Sequence, residues 1–237
     1  MNPDPRFLAV VPAAGVGARV GAALPKQYLA LAGRTVLEWS LRPLLQAQWI
    51  ERVIVVVAPG DRRARAICEP LSVQSGERLR VVPVGGATRR DSVLAGIGSI
   101  EPRPGDDDWI LVHDAARPGL GAAFLQRLRD ALRDEPVGGL LALPVADTVK
   151  RGGVGQRVAQ TLPREGLWLA QTPQVFRHGL LVRALREHAE VTDEAGAVEA
   201  AGHSPLLVEG ERRNFKVTTA EDLALMAAVL AGEEHRR

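Results

Sequence analysis

A glycine-rich loop near the N-terminus has the composition of a phosphate-binding site. Residues 8–28 have the sequence LAVVPAAGVGARVGAALPKQY, an apolar run followed by a loop with three glycines. Glycine lets backbone N–H groups approach phosphate oxygens closely, and Arg19 and Lys26 add positive charge. The loop is not a Walker A motif, because no Ser or Thr follows the lysine, and its third glycine comes one residue late for a dinucleotide fingerprint. It predicts a nucleoside triphosphate site, with a glycine-rich surface turn as the alternative.

Lysine is rare in this chain. Only Lys26, Lys150 and Lys216 occur among its 30 basic residues, so arginine serves wherever a generic positive charge suffices. A compact ammonium is a movable point charge on phosphate where a planar guanidinium would not fit. The three lysines are therefore candidates for phosphate contacts, although chance placement on a solvated surface is the alternative.

A second candidate motif follows a predicted strand, the position at which open α/β sheets bind ligands. Residues 85–96 have the sequence GGATRRDSVLAG and place Arg89, Asp91 and Ser92 at the predicted opening of a helix. Backbone amides and the Ser92 hydroxyl in this position are suited to a base or a phosphate. A glycine turn with an Asp or Ser cap explains the motif equally well.

A third motif, VHDAARP at 112–118, also follows an apolar strand. Asp114 is our candidate metal ligand, because Mg²⁺ takes carboxylate oxygens together with substrate phosphates. The alternative is an ion pair between Asp114 and Arg117. We expect a structural role for His113, since no partner for proton abstraction is evident.

The second half of the chain contains four polar segments that fit a phosphorylated polyol. They are PVADTVKR at 144–151, PREGLWLAQTPQVF at 163–176, VTDEA at 191–195 and NFKVTTAED at 214–222. Their hydrogen-bond and charge donors are Thr148, Arg164, Thr172, Thr192 and Lys216. Each donor alone is equally compatible with a surface or turn position.

The composition excludes several kinds of chemistry. With one cysteine and five scattered histidines, there is no Ser/His/Asp series, Cys/His pair or zinc spacing. Phosphoryl or nucleotidyl transfer remains, in which positioning and charge neutralisation do most of the work. The net charge of +2 and the scarcity of aromatic residues argue against nucleic-acid binding.

The elements that must position these residues alternate between strand and helix. Apolar strands are predicted at 7–11, 53–57, 80–84, 109–112 and 138–143. Helices are predicted from Val36 to Leu45, behind a Thr35/Glu38 capping box, and at 121–133, 178–189, 193–201 and 219–231. This alternation indicates a parallel α/β sheet.

The segment 144–165 breaks the alternation. Glycines and prolines punctuate two extended stretches, 145–150 and 157–161, which predicts a protruding hairpin arm. An arm with little core of its own usually packs on something, and we expect another subunit.

Cysteine usage and hydropathy bear on location. The only cysteine, Cys68, has apolar neighbours and predicts a buried, inert thiol in a reducing compartment. The first residues show no charged leader before a long apolar run, and no later run approaches about 18 apolar residues. We expect a cytoplasmic protein with no membrane association.

In seven segments taken together, the chain resembles the 2-C-methyl-D-erythritol 4-phosphate cytidylyltransferases of the non-mevalonate isoprenoid pathway. The segments are AAGVGARVG with PKQY, GGATRRDSV, VHDAARP, PVADTVK, LWLAQTPQVF, TDEA and NFKVTT, in family order. The resemblance implies a Rossmann-like nucleotidyltransferase fold with a mostly parallel, twisted sheet flanked by helices. It further implies a single domain over 1–237, whose arm at about 144–165 is exchanged in a homodimer.

The reaction implied by the resemblance is Mg²⁺-dependent. CTP and methylerythritol phosphate would give 4-diphosphocytidyl-2-C-methyl-D-erythritol and pyrophosphate. Arg19 and Lys26 would stabilise the pentavalent transition state, and Arg164 and Lys216 would position methylerythritol phosphate. The residues around CTP would be Ala13, Ala14, Gly15, Gly86, Arg89 and Ser92. Asp114 would lie near the metal, and Arg117, Thr148, Thr172 and Thr192 would lie near the second substrate.

Two alternatives remain open at this point. A cytidylyltransferase for ribitol 5-phosphate would share the triphosphate half and differ around Thr148, Arg164 and Thr192. A nucleotide-binding subunit without turnover could keep the fold, but Arg19, Lys26, Asp114 and Lys216 are all present.

Overall fold

The computed structural model describes residues 4–15 and 24–234. Its strands are β1 (Phe7–Pro12), β2 (Ala30–Leu31), β3 (Arg34–Thr35), β4 (Ile50–Val56), β5 (Leu79–Val82), β6 (Trp109–Val112), β7 (Gly138–Pro144), β8 (Val149–Gly152), β9 (Val158–Leu162), β10 (Trp168–Arg177) and β11 (Leu206–Glu209). Its helices are α1 (Val36–Gln46), α2 (Arg62–Gln74), α3 (Arg89–Gly98), α4 (Ala122–Ala131), α5 (His178–Glu187), α6 (Glu194–Ala200) and α7 (Ala220–Glu234). Within these two ranges, none of the helices combines the length and apolarity needed to cross a membrane.

The central sheet has seven strands in the order β11-β7-β10-β6-β1-β4-β5. The pairs β1–β4, β1–β6, β4–β5 and β7–β11 are parallel, which confirms the prediction of a mostly parallel sheet. The long strand β10 lies antiparallel between β6 and β7. The sequence pattern did not predict β10 or β11.

Apolar residues of β1 alternate between two cores. Ala9 and Val11 pack on one face of the sheet with residues of α1, α2 and α4. Leu8 and Val10 pack on the other face with residues of α3, α5 and α6. A strand covered on both faces has a nearly continuous apolar sequence, which explains the run before the glycine-rich loop. Cys68 lies in the first core, and burial raises the pKa of its thiol to about 12, as expected for an inert thiol.

Two capping boxes fix the starts of helices near the strand ends. The Thr35 side chain accepts from the Glu38 amide while the Glu38 carboxylate accepts from the Thr35 amide, as predicted. The box that opens α3 is formed by Thr88 and Asp91. Thr88 is therefore the N-cap, and the Asp91 carboxylate completes the box by accepting from the Thr88 amide. Of the Asp and Ser considered from the sequence as caps, Asp91 takes part and Ser92 does not.

The predicted arm is a separate two-stranded sheet, made by β8 and β9 pairing antiparallel. Strand β8 begins four residues later than the predicted stretch 145–150, and β9 lies one residue later than 157–161. Lys150 donates to the Thr161 hydroxyl at 2.6 Å, and Arg151 donates to the Gln160 side chain at 3.3 Å. Most of 144–170 is exposed, so this segment has little core of its own.

Candidate active site

A cleft of about 740 Å³ opens at the carboxyl ends of β1, β5 and β6. The sequence-predicted residues that line it are Ala13, Ala14, Gly15, Lys26, Gly86, Arg89, Ser92, Asp114 and Lys216. The fold therefore brings residues of the first three motifs, and Lys216 of the polar segment 214–222, to a single site. Arg19 lies outside the described residues.

The start of the glycine-rich loop is held by Gln27, a residue for which the sequence suggested no role. Its side-chain amide donates to the carbonyls of Ala13, at 2.7 Å, and Gly15, at 3.0 Å. Lys26 beside it donates to the carbonyl of Val217 at 3.0 Å. Lys26 and Lys216 thus reach the cleft from segments that are joined by this contact.

The second motif depends on close backbone approach. A Cβ added to Gly85 would lie 2.4 Å from the Cβ of Ala14, and one added to Gly86 would lie 2.5 Å from that of Asp91. The Ser92 hydroxyl accepts from the Gly86 amide at 3.1 Å and donates to the Thr88 carbonyl at 3.0 Å. Its proton is therefore committed within the motif, and Ser92 shapes this wall of the cleft.

Asp114 is surrounded by three cations. Its Oδ2 lies 2.9 Å from Lys216 Nζ and 3.5 Å from Arg117 Nε, and its Oδ1 lies 3.2 Å from Arg89 NH2. Burial by itself favours the neutral acid, but the charges of Arg89 and Lys216 outweigh it and hold the pKa of Asp114 well below its usual value. The predicted Asp114–Arg117 pair is present, as one of three contacts.

Arg89 joins Asp114 to a second carboxylate. Its NH1 and NH2 groups donate to the two oxygens of Glu194 at 2.6 and 3.0 Å, while its Nε donates to Asp114 at 3.2 Å. Burial raises the pKa of Glu194, and the charge of Arg89 opposes that rise. The sequence suggested no role for Glu194, because an acid at the start of a helix is a common feature of helix ends.

His113 and Thr172 hold the Asp114 segment from behind. The Arg117 carbonyl, 3.3 Å from His113 Nε2, can only accept, so Nε2 carries the proton of the neutral ring. His113 Nδ1 then accepts from the Thr172 hydroxyl at 3.0 Å, and the Thr172 oxygen accepts from the Asp114 amide, also at 3.0 Å. Burial lowers the pKa of His113 to about 4, so the ring is neutral at physiological pH.

Val217 and Asn214 fix the segment that carries Lys216. The Val217 amide donates to the Ala116 carbonyl at 2.8 Å, and its side chain is fully buried with Met226 and Leu230 of α7. The Asn214 side chain donates to the Thr172 carbonyl at 2.8 Å. These contacts, which cross about 40 to 100 residues of chain, explain why Lys216 lies beside Asp114.

The remaining predicted residues lie outside the cleft lining. Arg117 donates to the Asn214 carbonyl at 2.8 Å, beside Asp114. Thr148 and Arg164 are exposed on the arm, where Arg164 donates to the Ala146 carbonyl. Thr192 lines a neighbouring recess of about 220 Å³.

The cleft offers one carboxylate for a divalent cation. Asp114 is the only acidic residue among its described lining residues, and no group of three or more His, Cys, Asp or Glu side chains suited to a metal occurs within 4–15 and 24–234. Mg²⁺ is often bound by one or two carboxylates together with substrate phosphates. The lining therefore fits a cation that is held largely by the substrate.

A mostly parallel α/β sheet with a cleft at its strand ends, lined by glycines and two lysines, is typical of a nucleotide-binding α/β protein. The particular family follows from comparison with known proteins. A model of the 2-C-methyl-D-erythritol 4-phosphate cytidylyltransferase family, IspD, matches residues 7–232. The chain belongs to this family of enzymes, which confirms the resemblance drawn from the seven segments.

Relatives agree along nearly the whole chain. A protein of Dechloromonas aromatica strain RCB named 2-C-methyl-D-erythritol 4-phosphate cytidylyltransferase is 53% identical over 227 residues, covering 95% of this chain and 98% of that protein. One of Laribacter hongkongensis strain HLHK9 with the same name is 54% identical, covering 95% and 96%. A solved 4-diphosphocytidyl-2C-methyl-D-erythritol synthase matches with a TM-score of 0.84 and 38% identity, covering 96% and 100%. The solved cytidylyltransferase of Thermus thermophilus matches with a TM-score of 0.76 and 31% identity, covering 95% and 99%.

Proposed function

We propose that the chain transfers CMP from CTP to 2-C-methyl-D-erythritol 4-phosphate and releases pyrophosphate. The observation that carries the proposal is the convergence of Lys26, Lys216 and the ionised Asp114 on one cleft beside the glycine-rich loop. The names of the relatives support the choice of both substrates.

An oxygen of the acceptor phosphate would attack the α-phosphorus of CTP. A bond forms between these two atoms, the bond from the α-phosphorus to its bridging oxygen breaks, and the electron pair leaves with pyrophosphate. The acceptor is a phosphate monoester with a second pKa near ~6, so it is already largely dianionic and needs no general base. The buried His113 is not among the described residues that line the cleft, which agrees with a reaction that needs no general base.

The main obstacle to this reaction is repulsion between two polyanions. We propose that Lys26, together with Arg19, stabilises the charge that develops at the α-phosphorus, and that Lys216 and Arg164 position the acceptor phosphate. Charge that is already in place before reaction costs no reorganisation at the transition state. The hydrogen bond from Lys26 to the Val217 carbonyl and the ion pair of Lys216 with Asp114 support such fixed placement.

We propose Mg²⁺ as the cofactor, with Asp114 as its one protein carboxylate. When bound, the ion would neutralise charge on the triphosphate. Ala13, Ala14, Gly15, Gly86, Arg89 and Ser92 would then enclose CTP, as their position around the cleft supports.

We propose that the chain is one domain and that its arm serves a homodimer. Val154, Val158, Leu167, Trp168 and Leu169 are large apolar residues exposed on or beside the arm. A two-stranded hairpin is marginally stable alone, so these residues favour contact with a second copy. Thr148 and Arg164 would then act at the partner subunit's cleft, while Arg117, Thr172 and Thr192 would lie near the acceptor of their own chain.

Pyrophosphate release from each of the four nucleoside triphosphates with Mg²⁺ tests the reaction. The acceptors are methylerythritol 4-phosphate and ribitol 5-phosphate. We expect release with CTP and methylerythritol phosphate only. Release with ribitol phosphate instead would keep the triphosphate site and overturn the acceptor, and no release with any pair would favour a nucleotide-binding subunit without turnover.

Mixed dimers test the placement of Arg164. If a site combines Lys26 of one chain with Arg164 of the other, unfolding and refolding Lys26→Ala with Arg164→Ala restores about a quarter of the wild-type activity, because half of the dimers then hold one intact site. Each variant refolded alone is the control. If both residues act within one chain, no mixture recovers activity, and the arm exchange is wrong.

A further inference from the structure

Glu194 is a fully buried carboxylate that does not line the cleft. It is the first residue of α6, and its helix is capped by the neighbouring Asp193, whose side chain accepts from the Gly196 amide. Glu194 is therefore not needed as the cap. Its two oxygens instead accept hydrogen bonds from NH1 and NH2 of Arg89 at 2.6 and 3.0 Å.

From Glu194, charges alternate in a continuous series to the cleft. Arg89 contacts Glu194 on one side and Asp114 on the other, and Asp114 contacts Lys216 at 2.9 Å. Of the four side chains, the two carboxylates are the more deeply buried, while Arg89 and Lys216 are partly exposed and line the cleft. The series thus has a buried end at Glu194 and a cleft end at Lys216.

A stable core does not require this arrangement. Burying a carboxylate costs more than burying an apolar group, and an ion pair in the interior is often no more stabilising than a well-packed apolar pair. What the pair does provide is geometry, because a bidentate guanidinium–carboxylate contact fixes the plane and direction of the guanidinium. Here that plane decides where Arg89 presents its Nε–H to Asp114.

We propose that Glu194 is a positioning residue for the transfer reaction. It holds the Arg89 guanidinium from behind, Arg89 fixes Asp114 Oδ1, and Asp114 Oδ2 in turn holds the Lys216 ammonium in the cleft. This inference rests on the proposed function, since it assigns Glu194 to the same site.

The substitution Glu194→Gln keeps the shape of the side chain and removes its charge. The amide has one acceptor oxygen, and its NH₂ group faces a donor of Arg89. We expect kcat/KM to fall about tenfold or more, with Glu194→Asp recovering part of the loss because it keeps the charge. In an Arg89→Met background, the same substitution should change kcat/KM less than about twofold, because Glu194 acts through Arg89. Equal losses in both backgrounds would overturn the proposal.

A second measurement follows Lys216 without turnover. The chain has three lysines, so ¹³C labelling at Cε of lysine gives three signals, and Lys216→Arg identifies the one from Lys216. We expect Glu194→Gln to shift the Lys216 signal while leaving that of Lys150 unchanged. Glu199→Gln, on the exposed side of the same helix, is the matched control and should move neither signal.

The two measurements separate the two proposals. If the wild-type chain releases no pyrophosphate with CTP and methylerythritol phosphate, the proposed function fails, whatever the lysine spectrum shows. If the wild-type chain is active and Glu194→Gln leaves the Lys216 signal in place, Glu194 does not position Lys216. A fall in the activity of Glu194→Gln would then reflect a smaller amount of folded protein.

Discussion

The cleft and the arm solve the problem of placing charge in opposite ways. In the cleft, Asp114 alone holds Arg89, Arg117 and Lys216, and Lys26 donates to the Val217 carbonyl. On the arm, the exposed Arg164 donates to the Ala146 carbonyl and the exposed Lys150 donates to the Thr161 hydroxyl. The charges around Asp114 are held by partners from distant parts of the chain, whereas those of the arm have partners within the arm.

This difference bears on catalysis. Groups that stabilise a transition state contribute most when they are already in place before reaction. The ion pair of Lys216 with Asp114 meets that condition within a single chain.

The largest effect should come from removing a lysine of the cleft. For Lys26→Ala we expect kcat to fall about 10²- to 10³-fold, with a much smaller rise in KM for CTP, because the lost charge acts on the transition state. Steady-state pyrophosphate release gives both constants. Lys150→Ala, on the arm, is the matched control and should leave kcat close to that of the unaltered chain. An unchanged kcat for Lys26→Ala would end its assignment to the transition state.

The next effect should be a dependence of stability on pH that originates behind the cleft. The pKa of His113 is lowered by burial from 6.5 to about 4, so the unfolded chain binds more protons than the folded chain between these values. The contribution of the neutral His113 ring to the free energy of unfolding is fully present above pH 6.5 and is lost as the pH falls toward 4. We expect about 3 kcal/mol less free energy of unfolding across this window from His113.

Urea unfolding at several pH values, in the wild-type chain and in His113→Gln, isolates this contribution. The glutamine cannot titrate, so the difference in free energy of unfolding between the two proteins should narrow as the pH falls. If the free energy of unfolding falls equally with pH in both proteins, the pKa of His113 does not differ between the folded and unfolded chain. That result would contradict a buried neutral ring.

The contrast between a buried and an exposed threonine should be smaller. Thr172→Val removes the acceptor of the Asp114 amide and the donor to His113. We expect a loss of about 2 kcal/mol in the free energy of unfolding, since a buried N–H is left without its partner. Thr148→Val, on the exposed arm, is the matched control and should stay within about 0.5 kcal/mol. Equal losses in the two variants would remove the distinction between cleft and arm.

Much of the cleft could be predicted because its motifs directly follow strands. The glycine-rich loop, the 85–96 motif and the 112–118 motif each end a parallel strand, and parallel strands bring their carboxyl ends to one edge. The fold class followed from the same alternation of apolar runs and helical segments.

The strand β10 could not be predicted, because its polar residues are satisfied from far along the chain. Gln171, Thr172 and Gln174 are buried in it, and Thr172 meets His113 while Gln174 binds Asp193 and the Ala195 amide. Because these buried positions are polar, the sequence WLAQTPQVFR has neither the continuous apolar run nor the apolar/polar alternation that predicts a strand. Glu194 was missed for the same reason, since its partner Arg89 lies 105 residues away.

The smallest effect should come from the tip of the arm. Val154 is 97% exposed, so its methyl groups lose little contact with water on folding, whereas Val217 beside Lys216 is fully buried. For Val154→Ala we expect a change within about 0.5 kcal/mol in the free energy of unfolding, against a loss of about 2 kcal/mol for Val217→Ala. Urea unfolding of both variants, in dilute solution where any dimer has dissociated, makes the comparison. A loss above about 1 kcal/mol for Val154→Ala would show that the tip packs within its own chain, and the arm would then need no second copy to cover it.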